Sequence, residues 1–176
     1  MATVVGCRFA DGVVLAGDRQ VSQNGMIRST TVNRIQRLPH ACIGSADRPN
    51  RFQPLVTDLE SAIRSYQFRT DESPTCSAIT RLAQSISGTH RSAILLACRE
   101  LTGQAALFII DDGSQTQEPA AALGTGSALA YGVLEQIDYS QGVDDGEAEL
   151  SALIKTVSER DSNTGSTVDT IVLRDD

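Results

Sequence analysis

A chain of 176 residues fits a single domain spanning 1–176 and is long enough to bury roughly 70 % of the surface its unfolded form exposes. With 40 % hydrophobic residues and a net charge of −7, it can build an ordinary core, and the charge argues against nucleic acid or an anionic membrane as partner. No run is apolar enough over sufficient length to cross a bilayer, and no signal-peptide or lipidation pattern is present.

Among the cations, Lys155 is the sole lysine against fourteen arginines. Excess acid with little lysine suits adaptation to salt and, equally, the codon bias of a GC-rich genome. Any mechanism that needs a lysine has only Lys155. The four cysteines, Cys7, Cys42, Cys76 and Cys98, form no CxxC pair. Their scatter predicts reduced, mostly buried thiols in a cytoplasmic protein.

In chain order, 3–9 and 13–16 are β-prone runs on either side of an Asp11-Gly12 turn, a hairpin signal. The second run ends on the carboxylate of Asp18. Asn24-Gly25 marks another turn. Val32, Ile35 and Leu38 alternate loosely up to Pro39, and 41–43 reads as a short buried strand ending in Gly44-Ser45. Phe52, Leu55, Val56, Leu59, Ala62, Ile63 and Tyr66 recur at three- and four-residue spacing, which predicts a helix with Pro49 and Pro54 at or near its first turn. A second helix follows from about Pro74, with Ala78, Ile79, Leu82, Ala83 and Ile86 on one face and Gly88 as its stop.

The runs 92–98 and 105–110 read as strands buried on both faces, the latter leading into an Asp112-Gly113 turn. Gly124-Thr-Gly-Ser127 opens a third helix carrying Leu129, Ala130, Val133, Leu134 and Ile137. A fourth runs over about 146–160 with Leu150, Leu153, Ile154 and Val157 inward, and 168–173 closes the chain as a strand. Strands, two helices, strands, two helices and a strand imply an α+β fold of four layers: helices, sheet, sheet, helices. Hairpin turns make the two sheets mainly antiparallel.

Little in this sequence supports other catalytic chemistries. His40 and His90 lie in turn-like contexts, there is no GxSxG elbow, and Gly124-Thr-Gly-Ser127 lacks the spacing of a nucleotide-binding loop. No His, Cys and carboxylate set has zinc spacing, and Asp111-Asp112 and Asp144-Asp145 sit in turns. Neither a cofactor nor a metal is expected.

Residues 1–18 resemble the opening of a proteasome β subunit, whose mature form starts Thr-Thr-x-Val and runs into a hairpin ending in Ala-x-Asp. The resemblance extends through Gly124-Thr-Gly-Ser127, Tyr131-Gly-Val-Leu-Glu135 and Glu159-Arg-Asp-Ser-Asn-Thr-Gly165, and so covers nearly the whole chain. It implies the four-layer fold of the N-terminal-nucleophile hydrolases. It also implies a site built on an N-terminal threonine whose free α-amine serves as base.

Carried onto this chain, the nucleophile position falls on Ala2 and the first aspartate on Asp18. The lysine position falls on Arg34 and the oxyanion-hole glycine on Gly44, with the chain several residues short between the two. Thr125 stands at the turn serine, Asp161 at the second aspartate and Thr164 at the last serine. Both threonines keep a hydroxyl that can donate and accept. Arg34 can pair with Asp18, even bidentately, but it does not release a proton. Taken singly, Asp18 and Arg34 read as a strand-end ion pair, Thr125 as a helix-entry residue and Asp161 as a helix terminator.

An alanine methyl cannot attack a carbonyl. Trimming to Thr3 would supply a threonine one residue out of register, and a one-residue shift turns side chains to the opposite face of a sheet. The resemblance therefore implies a ring subunit, assembling with β-type and α-type partners through the helices after Asn50 and Pro74, without peptidase activity of its own. Two other readings stay open: an active threonine endopeptidase of the proteasome or the related bacterial two-component protease, acting on peptides or unfolded protein, and a monomeric binding module.

Overall fold

The computed structural model describes residues 2–176. Strands β1 (Thr3–Phe9) and β2 (Gly12–Asp18) form the expected hairpin, almost wholly buried because protein covers both of its faces. Phe9 pairs with Gly12, so the turn is Ala10-Asp11, one residue earlier than expected. Gly12 belongs to the strand: a Cβ there would lie 2.5 Å from the Leu173 carbonyl oxygen. Asp11 is freed to accept the Val143 N–H at 2.8 Å.

β1 and β2 are the centre of a four-stranded sheet whose outer strands are β10 (Ala120–Gly124) and β11 (Val168–Arg174), in the order β10-β1-β2-β11. The second sheet has five strands in sequence order: β5 (Ile35–Leu38), β6 (Ala41–Gly44), β7 (Ile94–Arg99), β8 (Ala105–Asp111) and β9 (Ser114–Gln117). A separate ribbon pairs β3 (Val21–Gln23) with β4 (Met26–Ser29) across Asn24-Gly25, whose φ angles of 52° and 74° are those of a primed two-residue turn. Every strand pairing among the described residues is antiparallel.

Helices α1 (Pro49–Thr70) and α2 (Cys76–His90) cover the five-stranded sheet, packing Phe52, Leu55, Leu59, Ile63, Ile79 and Ala83 against Ile43, Ile94 and Leu96. Helices α3 (Ser127–Leu134) and α4 (Val143–Ser158) cover the other, with Ala130, Leu150 and Ile154 against Val5, Cys7 and Val14. Between the sheets, Val4, Val13 and Leu15 meet Leu95, Ala97 and Leu107. These three apolar clusters make the helix–sheet–sheet–helix sandwich that the order of elements predicts.

Four local expectations need correction. Helix α2 runs through Gly88 to His90 and closes on Arg91, which takes the left-handed conformation (φ 49°) and donates its N–H to the Gly88 carbonyl. Leu129, given among the apolar residues of the third helix, is 46 % exposed, because α3 is short and lays only Ala130 and Leu134 fully on the sheet. Pro54 lies in the second turn of α1, where its missing N–H leaves the exposed Asn50 carbonyl to water. Finally, Cys76 and Cys98 are joined as a disulfide, with Cα atoms 5.4 Å apart, whereas Cys7 and Cys42 are the buried free thiols expected. A span of 22 residues separates the joined pair in sequence, so only the fold brings them together.

Candidate active site

The end of β2 places Asp18 at the centre of the site. Its side chain is fully buried, and both oxygens are engaged: Oδ1 accepts the Thr3 N–H, and Oδ2 accepts the N–H groups of Gln20 and Gly165, each at 2.8 Å. Burial pushes the Asp18 carboxyl above its ordinary pKa, while these amides, and then Arg34, pull the other way. The aspartate thus ties the start of β1, the residues after β2 and the Asp161–Gly165 turn into one knot.

Arg34 is 3 % exposed and precedes β5. Its Nε lies 3.9 Å from Asp18 Oδ1, an ion pair without a hydrogen bond, so the bidentate pairing open to it does not form. The rest of the guanidinium is spent on backbone. Nη2 donates to the Gln20 carbonyl at 2.6 Å, and Nη1 to the carbonyls of Asp47 at 2.7 Å and Ala46 at 3.4 Å. Burial lowers its pKa and the charges of Asp18 and Asp47 raise it, yet a guanidinium is not deprotonated in proteins. Arg34 therefore organises the loop after β6 and moves no proton. A cleft of about 480 Å³ opens beside it, between the β3–β4 ribbon and the start of α1.

Period-two alternation along β1 separates the remaining groups. Ala2 is fully buried in the inter-sheet cluster with Val4, Ile35 and Ala46. Its carbonyl accepts the Thr125 N–H at 3.1 Å. That contact requires glycine at 124 (φ 103°), where a Cβ would sit 1.8 Å from the Ala2 oxygen. Gly44 ends β6 between Ile35 and Leu95; a Cβ there would press on Val4 at 2.9 Å and Ile35 at 3.0 Å.

The helix-facing side of the sheet holds a chain of hydroxyls. Asp161 Oδ2 accepts from Thr125 Oγ1 and from Thr164 Oγ1, both at 2.6 Å, and Oδ1 accepts the Asn163 N–H at 3.1 Å. Thr164 has one proton and gives it to Asp161, so its 2.7 Å contact with Thr3 is donated by the Thr3 hydroxyl. The structure therefore brings Thr125, Asp161 and Thr164 together around Thr3, a residue that sequence reasoning considered only as a trimmed terminus. Alternation already carried the signal, since Thr3 is a lone hydroxyl at the head of the apolar strand Val4-Val5. Gln20 was missed as well; it links Asp18 to the Ser162 carbonyl, and no periodic pattern marks it.

Burial pushes the Asp161 carboxyl up, but the hydroxyls of Thr125 and Thr164 and the Asn163 amide outweigh it and hold the pKa below the ordinary 3.8. A lowered folded-state pKa stabilises the fold above that value and loses the contribution as pH falls through the lowered one. Stability measured by urea titration should therefore drop below about pH 4, and Asp161→Asn should flatten this part of the drop. Gly126 closes the same pocket: a Cβ would approach Thr3 Oγ1 to 2.3 Å and Val157 Cγ1 to 2.4 Å. Gly126→Ala should cost about 1–3 kcal/mol of unfolding free energy by overpacking.

Among the described residues, no group of three or more His, Cys, Asp or Glu is arranged to hold a metal, and no helix is long and apolar enough to cross a membrane. The family model described as "Proteasome subunit" fits residues 1–173. The chain belongs to the proteasome subunit family. It is 31 % identical to "Proteasome subunit beta 1" of Hyperthermus butylicus, with 98 % of this chain and 89 % of the relative aligned. To "Proteasome subunit beta 1" of Ignicoccus hospitalis it is 31 % identical, over 98 % and 90 %. To "Proteasome subunit beta 2" of Korarchaeum cryptofilum it is 29 % identical, over 98 % and 91 %.

Proposed function

We propose that this proteasome-family chain is a noncatalytic, structural ring subunit, built into a cytoplasmic protein-degrading assembly with β-type and α-type subunits. The observation that carries the reading is the pairing of Ala2 with Arg34. A methyl group stands at the nucleophile position of the family resemblance, and the arginine at its lysine position is committed to three backbone carbonyls. The surrounding knot is held by hydrogen bonds from the Thr3, Gln20 and Gly165 amides to Asp18, which serve the fold without a nucleophile.

Thr3 does not rescue activity in this reading. Its hydroxyl is fully buried, donates to Thr164 and lies against Gly126, so no substrate carbonyl reaches it. The outer face of α1 is mainly polar, with Phe68 as its one large exposed apolar side chain, whereas α3 presents Leu129 and Tyr131. Assembly contacts made by α1 and α2 would accordingly be polar in character.

Fluorogenic peptide assays on the purified protein should show no turnover. Electrophiles that trap N-terminal threonines should leave its mass unchanged. Native mass spectrometry, alone and with α-type and β-type subunits, should show a ring-sized assembly. Inhibitor-sensitive turnover in the homogeneous protein would overturn the noncatalytic assignment, and a strict monomer under every mixture and salt condition would overturn the ring assignment.

A further inference from the structure

The disulfide joins the first residue of α2 to β7, and its two sulfurs sit in different surroundings. Cys98 is fully buried within the apolar layer under α1 and α2. Cys76 is 5 % exposed and forms part of the wall of a cavity of about 450 Å³ that Cys98 does not line. Around that cavity stand the exposed residues Thr75, Ser77, Leu101 and Thr102, so it opens to solvent. Among the described residues, Glu100 is the only charged one lining it.

We propose that Cys76–Cys98 is a reversible thiol–disulfide exchange site, entered only through the Cys76 sulfur, and that its natural reductants and oxidants are small uncharged thiols and their disulfides. An incoming thiolate attacks Cys76 Sγ from the cavity. The Cys76–Cys98 bond breaks, its electron pair passes to Cys98 Sγ, and Cys98 takes up a proton because a bare thiolate is costly in an apolar layer. Cys76 is left as a mixed disulfide with the incoming thiol. A second thiol then attacks the external sulfur, releasing the Cys76 thiol and a small-molecule disulfide. Two external thiols are thereby oxidised and one protein disulfide is reduced; a small-molecule disulfide drives the reverse. The carboxylate of Glu100 disfavours anionic thiols at the entrance.

Exchange here would act on the fold. The bond fastens the start of α2 to the sheet, and the preceding residues 71–73 are exposed. Reduction removes the covalent tie and leaves that helix start to noncovalent contacts, among them packing at Pro74, Cys76 and Ile79. The exchange does not depend on whether the chain is catalytic, and it requires that the cavity at the start of α2 stay uncovered in any assembly.

The test uses the native protein. Brief exposure to limiting 2-mercaptoethanol, an acid quench and peptide mapping should find the mixed disulfide on Cys76 and a free thiol at Cys98. Before reduction, only Cys7 and Cys42 should carry thiols, detected after unfolding. At matched thiolate concentration, 2-mercaptoethanol should act faster than the anionic 2-mercaptoethanesulfonate. In the single variants, methyl methanethiosulfonate should modify Cys76 of Cys98→Ser on the order of tenfold or more faster than Cys98 of Cys76→Ser, each site read by peptide mapping apart from Cys7 and Cys42. Hydrogen exchange at amides 76–80 should rise on full reduction. Four free thiols in the untreated protein, a mixed disulfide on Cys98, or equal rates for the two variants would each overturn the proposal.

Discussion

Replacing Arg34 with alanine should lower the unfolding free energy by about 3–5 kcal/mol, among the largest single losses available in this chain. The guanidinium is 3 % exposed and faces Asp18, which is wholly buried. Its removal leaves that carboxylate without its nearby cation and takes hydrogen-bond donors from the carbonyls of Gln20, Ala46 and Asp47. Water entering from the adjoining cleft would reach the Ala46 and Asp47 carbonyls sooner than Gln20, which sets the lower bound of the range. Arg34→Lys keeps the charge but offers one ammonium where a planar fork served several acceptors, so it should cost less, about 1–3 kcal/mol. Urea unfolding of the three proteins checks the order. A loss below about 1 kcal/mol for Arg34→Ala would mean that water replaces the guanidinium and that the knot around Asp18 stands without it.

The same residue shows how far the sequence could be read. Its neighbourhood to Asp18 followed from family register, but its commitment to carbonyls did not, because the acceptors come from backbone at Gln20, Ala46 and Asp47 that no side-chain pattern marks. The helices α1, α2 and α4 were legible because each buries a stripe at helical spacing. Strand β10 was not: Ala120–Gly124 is a run of small residues between Pro119 and a left-handed glycine, without the β-branched or aromatic content that marks a strand, and it is β1 that recruits it. The edge strand β9 is fully exposed and polar, so hydrophobic patterning is blind to it. Gly88 misled because glycine often ends a helix. Here it faces open space, and the helix continues two residues to where Arg91 can turn.

The cysteines misled for a different reason. Spacing of 22 residues says nothing about contact when a helix and a strand fold back on each other. Within the candidate site, Thr125, Asp161 and Thr164 were found as a set, and the partner they converge on was not. Thr3 belongs to the opposite face from Ala2, which is why attention to the nucleophile position passed over it.

That separation of faces makes Ala2→Thr with Arg34→Lys the sharpest experiment on the site. An introduced threonine would project from residue 2 into the inter-sheet side, beside Ala46 and near the loop that Arg34 holds, and leave the Thr3–Thr164–Asp161 chain untouched. Its backbone would be fixed by the Thr125 N–H to the residue 2 carbonyl. Ala2→Thr alone should give no turnover above background, since loss of one essential member of a nucleophilic constellation costs on the order of 10⁶ in rate and Arg34 exchanges no proton. The double variant, prepared so that the threonine is the true N-terminus, should hydrolyse fluorogenic peptides measurably and be labelled once per chain by a threonine-directed electrophile. Its stability should fall by the Arg34→Lys cost plus about 1–3 kcal/mol, because residue 2 is fully buried in the inter-sheet cluster and the larger side chain overpacks it. Equal turnover in the single and double variants would show that a fixed positive charge suffices and that Arg34 is no barrier to catalysis. Labelling without turnover would place the defect beyond both residues, in the short segment between Arg34 and Gly44.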